Sequence, residues 1–503
     1  VTIDFSQYRH PGVYVDAGTN PTLATAGVAP TVICIIGSGV GYNTFVETIS
    51  FASATSAVLT KKGINPASIQ VRGYITDPNA SGQSVPHLFQ KDDDPTTHDY
   101  SVSTNTTGGA ENSTTTITKS SGGAIEPAYP VLTVSYQYTD ASYHALNVFD
   151  DYNTVADTYG PALDPASGAL ISPLTFAAGV AVLNGANQIY AIALNPVTGT
   201  VSQQFADAYQ TLSANNVNVN LVVPLFDGVT DQAALGGMLA TLNAALESDA
   251  NKGVLRTAVT GLDSAYVGSI ANVASLGNGI SSKRIVLAYP NALEYYNGVL
   301  NATQTVDGYY LAAAYAGVLA KQDPQMPLTH KIVQGFSGIT SSVLRTLTPT
   351  NKDTLAKGGI AVVEPDRAGR LRVRHGLTTD YAGGILNREI SLVRSQDALY
   401  NLLQDTMENS GLIGIPITDT TALQVKSIVS GALETAKNSS SGLITDYSQL
   451  AVRQQAPPSG DPTVIDVRFA YKPPWPLNYI LVSFTVDTTN ASDAISNLTA
   501  TAA

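Results

Sequence analysis

One cysteine stands in 503 residues. A single thiol closes no intrachain disulfide and builds no thiolate metal cluster. Cys34 lies inside the apolar run TVICIIG and reads as a small buried hydrophobe. Charge is sparse too, with Asp, Glu, Lys and Arg making up 13% of the chain. No stretch reaches the roughly 20 apolar residues that a membrane-crossing helix needs, so no membrane insertion is expected. The opening VTIDFSQYRHPGVYV has no basic segment followed by an apolar one, and no secretory signal is read in it. Lys and Arg are missing altogether from Ser120 to Asn251. Net charge is −13; residues 1–350 hold 13 Lys+Arg against 24 Asp+Glu (−11), and residues 351–503 hold 13 against 15 (−2). A protein that neutralises phosphates needs a basic face, so no direct nucleic-acid partner is expected. What basic density exists comes late, at Arg367, Arg370, Arg372, Arg374, Arg388 and Arg394, where a solvated strand face is the ordinary account.

The motifs of catalysis and ligand binding are also missing. GSGVG at 37–41 follows an apolar run, but its spacing is G-x-G-x-G, and YNTFVETISFAS after it does not open a helix. It reads as a strand-to-loop turn. GFSGI at 335–339 is not a nucleophile elbow, because its second Gly comes one residue early. None of the six histidines lies in an H-E-x-x-H spacing. Asp92, Asp93 and Asp94 stand together near His87 and His98, yet consecutive aspartates cannot all face one ion. They read as an exposed acidic loop. No catalytic residue, cofactor or metal is expected, and the chain does not read as an enzyme.

What is present is strand and helix patterning over a length that suits roughly three domains. TVICII at 31–36 fits a strand buried on both faces. From Asn147 onward helical and strand patterns alternate: PLTFAAGVAVLNGA, QIYAIAL, VSQQFADAYQTLSAN, NVNLVVPLF, DQAALGGMLATLNAALES, KRIVLAYP. Alternation of this kind favours a sheet with parallel pairs covered by helices. Residues 44–147 differ. FVETISF, IQVRGYI, STTTITK and YPVLTVSYQYT are strands between Ser/Thr/Gly/Asn loops, as in an inserted β-domain. In the last third, GIAVVEPD and LRVRHGLT form a strand pair around RAGR. Two helices follow, one with Leu392, Leu399, Leu402, Leu403 and Met407 on a face, the next with Val425, Val429, Ala432 and Leu433 inward. LITDYSQLAVRQQ is a further strand candidate. The chain then reaches VIDVRFAY–KPPWPLN–YILVSFTV, which reads as a β-hairpin. Ile465, Val467, Phe469 and Tyr471 share one face of its first arm, and Ile480, Val482, Phe484 and Val486 share one face of its second. The tail DTTNASDAISNLTATAA has too little apolar surface to fold alone, which suggests a partner elsewhere.

In order, five segments resemble the contractile tail sheath proteins of phages and related contractile injection systems. PGVYVD is similar to the family's opening, and TVICIIGSGVG to its first strand and Gly-rich turn. LAAAYAGVLAKQDPQMPLTHKIVQGFSGI resembles its Ala-Gly helix with a Pro-containing loop, though without the aromatic often seen before that Pro. NREISLVRSQDALYNLL is similar to its Arg-containing long helix, and VIDVRFAYKPPWPLNYILVSFTV to its closing hairpin. The 44–147 insertion matches no segment of that pattern.

The resemblance implies a multidomain α+β and α/β fold with mixed-sheet core domains, an inserted all-β domain and extended terminal arms. The expected parts are an N-terminal arm at 1–22, an α/β domain at 23–43 plus 148–345, the insertion at 44–147 as an outer domain, a tube-facing C-terminal core at 346–486, and a C-terminal arm at 487–503. It implies a structural subunit that polymerises helically around a tail tube and contracts to drive the tube through a target cell envelope. The expected partners are copies of itself, the tail tube protein, and baseplate and tail terminator proteins. The expected location is the virion tail, assembled in the host cytoplasm. Strand exchange between subunits is expected through Pro11, Gly12, Val13, Tyr14, Val15, Ile465, Val467, Phe469, Ile480, Val482, Phe484 and Val486. Contact with the tube is expected through Lys426 and Lys437 on the helix at 418–437. The rival readings are a self-assembling surface-layer or capsid-like protein and an α/β hydrolase-like enzyme, the latter needing a triad that the sequence does not offer.

Overall fold

The structure is a computed structural model, described over residues 31–39, 43–64, 66–80, 82–91, 98–105, 113–138, 141–165, 167–195, 199–215, 217–418, 420–438, 442–456 and 460–481. The arms at 1–22 and 487–503, with Pro11–Val15, fall outside the described residues, as do Val482, Phe484, Val486 and the Asp92–Asp94 run.

Strand β1 (Ile33–Gly37) is buried along its whole length, as its unbroken apolar run requires. The chain then leaves for seven strands: β2 (Asn43–Ser50), β3 (Ser56–Lys62), β4 (Gln70–Thr76), β5 (Ser84–Phe89), β6 (Tyr100–Asn105), β7 (Thr114–Lys119) and β8 (Val131–Tyr138). They make two antiparallel sheets, ordered β2-β8-β4-β5 and β3-β7-β6. The pattern is period-2: Leu132, Val134 and Tyr136 of β8 are buried while Val131 and Thr133 are exposed. Both sheets feed one core, with Ile49, Val71, Phe89 and Leu132 from one and Leu59, Tyr100 and Ile117 from the other.

The chain returns through β9 (Asn147–Phe149) and then alternates. Helices α1 (Tyr152–Tyr159) and α2 (Pro173–Leu183) precede β10 (Ile189–Ala193). Helix α3 (Val201–Ala214) leads to β11 (Leu221–Pro224), α4 (Gln232–Asn251) to β12 (Thr257–Thr260), and α5 (Ile270–Ile280) to β13 (Ile285–Tyr289). A small antiparallel sheet, β14 (Ala292–Asn297), β15 (Ala302–Asp307) and β16 (Gly338–Ile339), flanks helix α6 (Tyr309–Lys321). Helices α7 (Ser341–Thr346) and α8 (Pro349–Lys357) lead to β17 (Ile360–Pro365) and β18 (Leu371–Val373). The main sheet runs β18-β17-β13-β12-β11-β1-β10-β9. It is parallel from β17 to β10 and antiparallel at both rims. Helix α6 is buried on every side from Tyr309 to Leu319. Its Gly317 meets the Ala181 carbonyl of α2, where a Cβ would clash with backbone, and this is why the Ala-Gly pattern sits here.

Two sequence readings are corrected. The C-terminal core was expected to begin at 346, but β17 pairs with β13, and Leu347, Leu355, Leu371 and Val373 join the main core. The second core begins inside α10 (Ile390–Glu408), which follows the short α9 (Ile385–Arg388). Leu399, Leu402 and Leu403 of α10 pack there with Val425, Val429 and Leu433 of α11 (Thr421–Asn438). An apolar run such as IAVV must be buried, but its period does not say in which sheet. The expected hairpin is also not what the described residues form. Strand β20 (Ile465–Lys472) pairs antiparallel with β19 (Asp446–Gln454), and residues 473–481 carry no strand. Prolines at 473, 474 and 476 keep that segment out of a ladder.

Candidate functional site

The carboxyl ends of the parallel strands are where α/β sheets usually bind ligands. The order β10-β1-β11-β12-β13 places the switch point between β1 and β11. Gly37 ends β1 there, but a Cβ on it would stand 2.7 Å from Leu225 Cδ1, and Leu225 and Phe226 are fully buried. The GSGVG turn therefore packs against protein; Gly39 lies against Tyr159 and Tyr143. Beside it three carboxylates converge. Asp263 accepts from the Gly228 and Ala265 N–H groups at 2.9 and 2.8 Å. Asp307 accepts from the Ser264 N–H at 2.9 Å and the Tyr309 hydroxyl at 2.8 Å. The Tyr309 hydroxyl also lies 3.3 Å from Asp227, which reaches solvent at the rim. Desolvation of the Asp227 carboxyl, then the charges of Asp307 and Asp263, raise its pKa above the usual carboxylate range. Three like charges repel a phosphate. Among the described residues no group of His, Cys, Asp or Glu could hold a metal ion. Burial pushes the Cys34 thiol up to about 12, as suits an inert hydrophobe.

The other unusual place is the β19–β20 pair. Its strands have one neighbour each, so among the described residues both outer edges present unpaired backbone groups. Ile465, Val467 and Phe469 stand with Tyr447, Leu450 and Val452 on the side packed against the second core, and all are only partly buried. Gln449, at φ 59°, is part of a bulge between Ser448 and Ala451. The extra residue rephases β19, so that Tyr447 before it and Leu450 and Val452 after it face the same way. The other side is charged: Asp466 lies by Arg453 and Arg468 at 3.7 and 3.4 Å. Beyond β20 the extended segment exposes Trp475, Leu477, Tyr479, Ile480 and Leu481 by 57–92%. Ile480 thus points to solvent, away from the three β20 residues it was grouped with. This is a dense run of exposed apolar side chains.

The two lysines of α11 differ. Lys426 is exposed, whereas Lys437 donates to Asp446 of β19 at 2.9 Å. That hydrogen bond, more than any other cause, raises the Lys437 pKa. The late arginines are mostly paired inside the chain. Arg372 meets Glu364 at 3.1 Å, Arg370 meets Asp366 at 2.8 Å, and Arg374 meets Asp353 at 2.7 Å. Arg394 is buried and donates to Thr31 Oγ1 at 3.0 Å and the Gln322 carbonyl at 3.2 Å. Reading the sequence also missed Arg284, buried and forked onto Asp397 at 3.0 and 3.3 Å, which ties β13 to α10. Its partner lies 113 residues away, and no local signal marks it.

No family model matches the chain. A curated relative, the tail sheath protein of Mycobacterium phage Bxz1, is 27% identical over 587 aligned residues, covering 97% of each chain. Among solved structures, the helical sheath of the anti-feeding prophage in its contracted state matches with TM-score 0.53 and 11% identity, over 96% of this chain and 100% of that one. The baseplate structure of the same prophage holds a chain matching with TM-score 0.54 and 12% identity, again over 96% and 100%. At such identities the solved structures speak for the fold, and the phage relative carries the sequence kinship.

Proposed function

This chain belongs to the contractile tail sheath proteins, and from that premise we propose how its copies hold one another. It is a structural subunit of a contractile tail, and no chemistry is assigned to it. The observation that carries the proposal is the β19–β20 pair, whose two outer edges have no partner among the described residues. A two-stranded sheet is marginal alone, and unpaired edges are templates for another chain. Added strands would complete it, one from the Pro11–Val15 stretch and one from the Val482–Val486 stretch of neighbouring copies. Main-chain hydrogen bonds give such a link its strength and tolerate small polar side chains around it. Head-to-tail addition that does not close into a ring builds a helix. Subunits can then rotate nearly as rigid bodies while the strands stay joined. In this reading the cylinder encloses a tail tube, ends on a baseplate and a terminator, and is assembled in the host cytoplasm.

Truncation after Leu481 tests the proposal. The truncated chain should keep its circular dichroism and melting temperature, because none of the described elements is removed. Negative-stain microscopy should show long hollow cylinders for the full chain and none for the truncated one. Normal cylinders from the truncated chain would remove the C-terminal segment from the assembly contact.

A further inference from the structure

Asn478 stands out in the exposed segment after β20. On either side of it Leu477 and Tyr479 are 75% and 79% exposed, yet its own side chain turns inward. Its Oδ1 accepts from the Thr329 hydroxyl at 2.9 Å. Its Nδ2 donates to Glu389 Oε1 at 2.9 Å, and the His375 ring stands beside it, Nε2 3.2 Å from Nδ2. His375 Nε2 lies 2.5 Å from the same Glu389 oxygen. Glu389 is 1% exposed at the start of α10, and among the described residues its Oε1 is met by Asn478 Nδ2 and His375 Nε2, as a buried carboxyl oxygen requires. The Tyr479 ring stands edge-on to the His375 ring at 6.4 Å. Thr329 follows α6, and His375 follows β18, so the contact joins the segment after β20 to the main core rather than to the β19–β20 pair.

The geometry points to Asn478 as a clasp that fixes the direction of the segment from Pro473 to Leu481; the use made of that direction rests on the strand-exchange reading above. Two fixed points define a direction. One is the end of β20 at Lys472. The other is Asn478, six residues on. Between them Pro473, Pro474 and Pro476 keep the chain extended and stiff. A segment pinned in this way has fewer ways to miss a neighbour's sheet edge, so less conformational freedom is lost on joining. Hydrogen bonds to a buried carboxylate are stronger than neutral ones, and a two-bond amide clasp is directional. Thr329, His375 and Glu389 act here as positioning residues.

Asn478→Leu removes both amide donors and the acceptor at similar volume, without touching either core. Chymotrypsin cleavage after Tyr479, followed by mass spectrometry on the unassembled chain, reads the clasp directly. Cleavage needs the flanking residues to detach, so its rate tracks the open population. The rate should rise roughly tenfold in Asn478→Leu and roughly threefold in Thr329→Val, which loses one neutral bond. Sedimentation then reads positioning: Asn478→Leu should need roughly tenfold more protein to form cylinders, with its melting temperature unchanged. An unchanged cleavage rate overturns the clasp. Faster cleavage with normal assembly overturns the positioning role. A wild-type chain that never assembles sinks the strand-exchange reading and the positioning role with it, and the clasp is then judged by cleavage alone.

Discussion

Two sheets of this chain use similar strand sequences to opposite ends. In the main sheet, β1 is fully buried and pairs on both sides, Ile35 facing Ala191 on one and Val223 on the other. In the β19–β20 pair, β20 has one neighbour, and Ile465, Val467 and Phe469 are only partly buried. Hydrophobic burial and backbone pairing are thus complete in the first among the described residues and half complete in the second. A sheet that stays incomplete in a folded chain has two accounts: a weak margin, or a seat for a strand that comes from outside. The strand-exchange proposal takes the second.

The largest expected effect separates the two sheets by stability. Ile35→Ala leaves a cavity in a site that is closed on every side and should cost about 3–4 kcal/mol. Val467→Ala removes less volume from a half-open site and should cost about 1 kcal/mol. Urea titration of the unassembled chain measures both. The sharper form is hydrogen exchange: β20 amides facing away from β19 should exchange fast in the free chain and slow on assembly. If those amides are already protected before assembly, the sheet is complete without a neighbour and the contrast between the sheets fails.

A smaller effect is expected at α11, which packs beside the open pair. Lys437 is committed to Asp446 within the chain, so of the two lysines proposed to meet the tube only Lys426 keeps an exposed charge for an outside partner. Lys426→Glu should weaken co-sedimentation with preformed tail tubes at low salt, by a factor of about 2–5, and the difference should fade at high salt. Lys437→Glu should loosen the exposed α11–β19 contact and leave docking nearly as it was. Equal losses from both variants would return Lys437 to the tube contact, and wild-type docking that ignores salt would remove the helix from it.

How far the sequence reaches depends on how local the deciding contact is. The runs TVICII, NVNLVVPLF and KRIVLAYP are legible as buried strands because each holds an unbroken apolar stretch (VICII, LVVPLF and IVLAYP), and β1, β11 and β13 lie where those stretches are. The alternation in VIDVRFAY is equally legible, and β20 carries it. Its partner is not legible, because DYSQLAVRQ and YILVSFTV both alternate acceptably. The bulge at Gln449, which lets the first of these keep its apolar residues on one side, leaves no mark such as a glycine. The boundary at 346 failed for the same reason: only the pairing of Leu287 with Ile360, 73 residues apart, shows which sheet IAVV completes. The Asn478 clasp is further still from view, its partners lying 89, 103 and 149 residues away.

The smallest expected effect lies at the rim of the complete sheet, where polar groups are crowded rather than unpaired. Asp227 has a carboxyl pKa raised in the folded chain, by desolvation first and then by Asp307 and Asp263. A carboxyl whose folded pKa lies above its unfolded value of about 4 favours folding below that value, where it is protonated in both states. That contribution is lost as pH rises through the raised folded pKa, and at pH 7 the ionised group opposes folding. Asp227→Asn removes the charge and keeps one acceptor oxygen, which can still take the Tyr309 bond, while the longer Ser38 bond to the other carboxylate oxygen is given up. The variant should therefore match the wild type near pH 4 and exceed it at pH 7. Because Asp227 reaches solvent, its charge is screened, and the gain should be no more than about 0.5 kcal/mol. Urea titrations at the two pH values measure the difference. A variant that is less stable than the wild type at pH 7 would mean that the Tyr309 and Ser38 bonds to the carboxylate outweigh the repulsion, making this rim a satisfied network rather than a strained one.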